Sequence, residues 1–392
     1  MTRQQNGEGG NPRSPDLAPD RRADSADELD ARLYSLETLY AKGRFEDTIA
    51  RGELELEREL PAQARGRVRL FVAMANLSLG RMKSGEQMLA DARADIEAVG
   101  DEVLLVECMA SEAYAAQMRQ RPEAVHLAEQ ALFACRKLAP IPRPLEARIL
   151  NALAAASVAA SDWEGAVAAY EEAIERAASL YDMNRQAKLL SDVSIAYGEL
   201  GQLDRSVICA TRSVELLEAL RDFVALARSE NNLGLSLMSS GDLASARRHL
   251  TRSLDLCEQT NLEIGRCHVL LSLCELNMAD GRYADAQLFA KQALASALGQ
   301  GEASSVAQAH VWLGRAASAL NQSDVSDSEF EQAIEQLTRN GESVHLMRCH
   351  ALYGDVLEHR GELHRAYLQM KAAVAQAAGS RPKRGPGKDI RF

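Results

Sequence analysis

Residues 231–246 read NNLGLSLMSSGDLASA. Gly234 and Gly241 stand seven positions apart, with small residues filling the gaps between leucines. Such a stretch serves as a phosphate cradle, a hinge or a point where helices press together. The sequence contains neither GxxxxGK[ST] nor GxGxxG, and no strand-like run precedes the segment, so a phosphate loop has no support. What the segment does have is a register. Gly201, Gly241, Gly281 and Gly361 are spaced by multiples of forty, and Ser161 and Asn321 fill the two empty slots. Gly43, Gly80 and Arg119 continue the register less strictly upstream, making nine units.

Each punctuation point sits inside a pattern of recurring columns. Two residues on, a large apolar side chain recurs: Phe45, Met82, Trp163, Leu203, Leu243, Tyr283, Leu363. Five residues on, the position is small, as at Ala166, Ser206, Ala246 and Ala286, and seven before it is small again, as at Ala154, Ser194, Gly234 and Gly314. Apolar spacing of three and four marks amphipathic helices, with glycine or a small polar residue ending the first of each pair. Small residues on both helices let them approach closely. The segment that opened the question is therefore packing and punctuation.

These columns resemble the tetratricopeptide family. NNLGLSLMSSGDLASARRHLTRSLDL and VWLGRAASALNQSDVSDSEFEQAIEQL carry its small–large–small pattern, and the match runs over residues 27–378. The resemblance implies an all-α, right-handed superhelical solenoid of about nine antiparallel helical hairpins. Two departures stand out. The period is forty where the family's is thirty-four, so each helix is expected to be about one turn longer. Glu55 and Glu112 also occupy small positions in the first and third units. Longer repeats of this kind are similar to the arrays of bacterial peptide-pheromone sensors and of helix-turn-helix regulators, with ARLYSLETLYAKGRFEDTIARGE resembling the entry to such arrays.

Composition agrees. Hydrophobic residues make up 46% and aromatics 5% of 392 residues, which suits close-packed helices better than sheets. The net charge of −11 disfavours nonspecific binding to nucleic acid. Charge is unevenly spread, because RPKRGPGKDIRF (381–392) holds five basic side chains and one Asp. Residues 1–26 and 379–392 are expected to be disordered ends, the latter basic. RKLAPIPRPLEA (136–147) predicts either a kink or an ordinary inter-repeat loop. The seven cysteines are odd in number and never form CxxC, which points to free thiols and a cytoplasmic protein. The first 26 residues lack an apolar core segment, so no signal peptide is expected, and they are too few for a helix-turn-helix DNA reader. No stretch approaches a membrane span.

A search for chemistry returns little. EHRGELH (358–364) is not HExxH, and its Gly361 is the turn of the ninth unit. His345, Cys349 and His350 lack a second ligand pair at zinc spacing, and GxSxG does not occur. No catalytic residue, cofactor or metal is expected.

The stronger candidate comes from reading the repeats crosswise. The resemblance implies that the first helix of each unit lines a concave groove, with its second, fifth, sixth, ninth, twelfth and thirteenth positions facing inward. The second-position column runs Arg67, Val106, Arg148, Lys188, Arg228, His268, Gln308, Arg348, with Arg148, Lys188, Arg228 and His268 an unbroken basic run on an acidic chain. Beside it stand Asn151, Ser191, Asp192, Asn231 and Asn232, and further along Trp312 and Arg315, then Leu352 and Asp355. Arg and Lys engage carboxylates, and Asn amides pair with an extended backbone. The alternative is that these heads are solvated or paired with acids of the neighbouring unit. The groove reading predicts a non-catalytic scaffold or regulatory protein that binds a peptide or partner protein, acidic or with a free C-terminal carboxylate. A ligand-responsive transcriptional regulator, acting through a partner or a further DNA-binding domain, is the alternative function.

Overall fold

The computed structural model describes residues 26–119 and 121–380, which form eighteen α-helices and no strand. The expected ends lie almost wholly outside the described residues, since the first helix opens at Ala26 and the last closes at Ser380. The chain divides into two compact units, one ending at Leu105 and the other beginning at Val106.

The first unit holds α1 (Ala26–Ala41), α2 (Phe45–Leu56), α3 (Ala62–Ser78), α4 (Met82–Val99) and the start of α5 (Glu102–Met118). Leu33, Leu36, Ile49, Val68 and Val72 form its core beside α1–α3, and α3 packs on α4. Glu55, the residue out of pattern in the first unit, is buried and held by Arg32 at 3.1 Å, Arg51 at 3.1 Å and Arg58 at 3.7 Å. A carboxylate is tolerated in place of a small residue there because three guanidinium groups compensate its charge.

The second unit continues with α6 (Ala124–Lys137), α7 (Arg143–Ala159), α8 (Trp163–Ser179), α9 (Met183–Glu199), α10 (Leu203–Leu220) and α11 (Phe223–Ser239). It ends with α12 (Leu243–Gln259), α13 (Glu263–Ala279), α14 (Tyr283–Gln300), α15 (Ala303–Ala319), α16 (Ser323–Asn340), α17 (Ser343–His359) and α18 (Leu363–Ser380). From α7 onward each helix packs on the next, and α9, α11, α13, α15 and α17 also pack in series along one face. The proline-rich segment forms the loop 138–142 between α6 and α7.

Helix starts from Arg143 to Leu363 recur every twenty residues. The backbone explains the interval: from Ser161 to Gly361, every twentieth residue has a positive φ, between 51° and 89°. The forty-residue register marks only the alternate ones. Tyr181, Arg221, Asn261, Gly301 and Gly341 form the second set, between hairpins. At each, the following amide reaches back five residues, as Asp242 N–H does to the Leu237 carbonyl at 2.9 Å, satisfying a free carbonyl of the ending helix. Asp162, Asp182, Asp222 and Asp242 then cap the next helix by accepting from the amide three residues on.

The small columns lie where helices touch. A Cβ on Gly234 would stand 2.6 Å from Leu250 Cγ, and one on Gly314 would stand 2.7 Å from Phe330 Cδ2. Where the small residue is serine, its hydroxyl finds a carbonyl on the packed helix: Ser213 donates to Ala187 at 2.6 Å and Ser253 to Ala227 at 2.6 Å. All seven cysteines are free, six of them buried. Among the described residues no helix is long and apolar enough to cross a membrane.

Candidate functional site

The odd-numbered helices α9, α11, α13 and α15 present a row of side chains along one face, and these line an open cavity of about 860 Å³. Lys188, Arg228, Asn231, Asn232, His268 and Trp312, all expected from sequence to face a groove, line it together. A second cavity of about 430 Å³ adjoins it, adding Arg148 and Asn151 and sharing Lys188, Asp192 and Arg228. A third of about 210 Å³ lies between α15 and α17, adding Arg348 and sharing Gln308 and Trp312. The three therefore follow one another from α7 to α17.

Two expected groove residues lie elsewhere. Ser191 is fully buried and lines none of these cavities; its hydroxyl accepts from Asn232 Nδ2 at 3.0 Å, so it anchors the amide beside the cavity. Arg315 stacks on the Trp312 ring, 4.5 Å from the centroid. A long guanidinium side chain beside an indole gains more from that face than from water.

The basic column is compensated. Arg148 pairs with Glu107 at 3.3 Å, Lys188 with Asp222 at 3.2 Å and Arg228 with Asp192 at 3.5 Å. Lys188 and Asp192 on α9 thus face Asp222 and Arg228 on α11 in two crossed pairs. His268 and Arg348 have no ion pair among the described residues. Burial pushes the Asp192 carboxyl up, opposed by Arg228. Burial also acts on Asp222, but hydrogen bonds from Asn184, the Ala225 amide and Lys188 outweigh it and hold that carboxyl down.

The floor carries the most informative atom. Asn231 is 9% exposed, and its Oδ1 is buried without a hydrogen-bond partner. A buried carbonyl oxygen left unpaired costs about 1–3 kcal/mol.

Sequence reasoning passed over Glu275 and the apolar wall of Ile195, Val224, Leu235, Leu262 and Leu271, all lining the cavity of about 860 Å³. Glu275 had a signal: it occupies in its unit the place that Arg315 occupies in the next. Burial pushes its carboxyl up, opposed by Arg315. Among the described residues no group of three His, Cys, Asp or Glu is arranged to hold a metal ion.

No protein-family model matches the chain, and no curated protein is similar to it in sequence. Its fold is shared with solved all-helical repeat structures at low identity. The apo form of the quorum sensor NprR from B. thuringiensis superposes with a TM-score of 0.66 at 13% identity, covering 90% of this chain and 99% of that one. Aspartyl phosphate phosphatase F from Bacillus subtilis gives 0.62 at 12% identity, covering 95% and 99%. NprR in complex with its cognate peptide NprX gives 0.59 at 13% identity, covering 86% and 100%. The tetratricopeptide-like architecture expected from the columns is the one these structures share with it.

Proposed function

We propose that this chain is a non-catalytic regulatory scaffold, working in the cytoplasm, whose groove in the second unit holds an extended peptide or a segment of a partner protein. The observation that carries the reading is Asn231, which lines a cavity of about 860 Å³ and whose carbonyl oxygen is buried without a hydrogen-bond partner. An extended backbone offers amide donors at regular intervals, which is the chemistry that atom lacks. The apolar wall supplies burial for ligand side chains, and a solenoid leaves such a concave surface free because its core is buried between neighbours. The likeness to NprR, whose structure with the peptide NprX shares this fold, supports the same reading.

The crossed pairs refine the ligand's chemistry. A ligand carboxylate at Lys188 or Arg228 competes with Asp222 or Asp192, whereas at His268 or Arg348 it meets no paired acid. The acidic side chain or free C-terminal carboxylate expected from the basic column belongs at that second end.

Asn231→Leu tests the proposal, because it moves stability and binding in opposite directions. Removing an unpaired buried carbonyl leaves the fold unchanged or steadier by about 1 kcal/mol. Capture of peptides from a displayed random library should nevertheless fall sharply. A variant that melts like wild type and captures the same peptides equally well would remove Asn231 from the site.

A further inference from the structure

Three groups along the groove offer the cavities an unpaired charge or an aromatic side chain. Glu275, on α13, lines the cavity of about 860 Å³ and makes no ion pair or hydrogen bond with any described residue. The nearest cation acting on it, Arg315, is stacked on Trp312 and forms no ion pair with it. Burial raises the Glu275 carboxyl for that reason, and a cation brought from outside would relieve the cost. Trp312, on α15, lines both the cavity of about 860 Å³ and that of about 210 Å³, with Arg315 on its ring and part of its surface packed against the core. Arg348, on α17, is exposed in the cavity of about 210 Å³ with no ion pair among the described residues. The acid nearby, Glu342, is engaged by His345 at 3.0 Å and by the Ser304 hydroxyl at 2.9 Å.

The order is anion, aromatic, cation on three successive groove helices. Counted from the helix starts at Glu263, Ala303 and Ser343, the three residues stand at positions 13, 10 and 6, a diagonal across the face. Each step combines an interaxial spacing of about 8–10 Å with about 5 Å along the helix, so about 10 Å in all. Extended chain covers that distance in about three residues.

We propose that the groove reads a three-part signature in its ligand: a basic group at Glu275, a bulky apolar side chain on Trp312 and an acidic group at Arg348, spaced about three residues apart. The proposal rests on the peptide-groove reading above and names the chemistry that groove selects. Among the described residues of the groove's basic column, Arg148, Lys188 and Arg228 are already matched, whereas Arg348, like His268, has no ion pair.

The test is selection from a phage-displayed library of random nonapeptides against the whole chain. Wild type should enrich Lys or Arg, a large apolar residue, and Asp or Glu at that spacing. Glu275→Gln should erase the basic preference alone, Arg348→Gln the acidic preference alone, and Trp312→Ala the apolar one. Each charge variant should weaken a selected synthetic peptide about tenfold, the scale of one charge-assisted hydrogen bond. The double variant Glu275→Lys/Arg348→Glu provides a gain-of-function check, since it should enrich the reversed charge order, which a merely damaged fold would not do. Enrichment of peptides without this signature, or of the same signature by every variant, overturns the three-subsite proposal while leaving a peptide groove standing. A wild-type chain that enriches nothing overturns the groove reading and this proposal with it.

Discussion

Asp192 and Asp222 face the same groove and shift in opposite directions, because burial wins at one and hydrogen bonds win at the other. Glu275 belongs with Asp192: burial raises its carboxyl and Arg315 offsets this only in part. A folded-state pKa above the unfolded one means that the charged form is disfavoured in the folded chain. The associated stability is fully present below the ordinary glutamate range, around pH 4.3, and is lost as pH rises through the raised value. Glu275→Gln should therefore raise the melting temperature at pH 7, and the gain should shrink toward pH 4. Paired thermal melts at the two pH values check this; an equal or lower melting point at pH 7 would show that Glu275 has a stabilising partner. The residue scale is also where groove and support separate, since Ser191 never reaches the cavity but fixes Asn232, which does.

From α7 to α18 the helices are built to nearly one length, and from Ser161 to Gly361 one device separates them, a left-handed residue every twenty positions. Glycine therefore plays two roles, and substitutions separate them. Gly234 lies mid-helix against Leu250, which is fully buried and has no room to withdraw. Gly234→Ala should destabilise the fold by about 1–3 kcal/mol through overpacking, despite alanine's better helix propensity. Tyr181 presents the reverse case, a bulky residue at φ 56° and 89% exposed. Left-handed backbone costs a non-glycine residue about 1–2 kcal/mol, whereas glycine adds about 0.5–1 kcal/mol of lost chain freedom. Tyr181→Gly should come out neutral or stabilising by up to about 1 kcal/mol. Urea unfolding of the two variants should shift midpoints in opposite directions; a common direction would contradict the assignment of these positions. The hydroxyls of Ser213 and Ser253 show why small polar residues serve as well as alanine at helix contacts, since a carbonyl is within reach.

Within each unit a repeat array draws its stability from neighbours, so links between successive hairpins count for more than contacts across the molecule. Several such links are carboxylates held by arginine. In the first unit Asp95, lowered by Arg65 and Arg69, is held in the same way within one hairpin, between α3 and α4. Glu146 and Asp327 in the second are pushed up by burial, but arginines overcome it: Arg143, Arg136 and Arg176 at Glu146, Arg365 and Arg360 at Asp327. Lowered folded-state values mean stability that is present above the unfolded carboxylate range and lost as pH falls through the folded values. Helical signal should thus melt progressively earlier as pH drops below about 4. Glu146→Gln should remove part of that acid sensitivity while lowering stability at neutral pH, because three arginines then lose their counter-charge. Melts from pH 7 to pH 3 of wild type and variant decide it, and parallel curves would discount the arginine-held acids.

The linear chain by itself determined the helix class, the hairpin register and the contact faces. Small residues at Gly234, Ala246, Ala166 and Gly314 recur at fixed intervals because close helix packing demands them locally, and local demands are written in sequence order. The same crosswise reading brought six of the expected groove residues to one cavity, since a regular repeat converts spacing in sequence into adjacency in space. The second set of turns stayed hidden because left-handed backbone at Tyr181 and Arg221 has no glycine to announce it. Charge balance was decided only in three dimensions. Whether Lys188, Arg228, Glu275 or Arg348 is matched depends on which acid or base a neighbouring helix swings within 4 Å, and a Coulomb pairing made across thirty to forty residues leaves no mark in the local pattern.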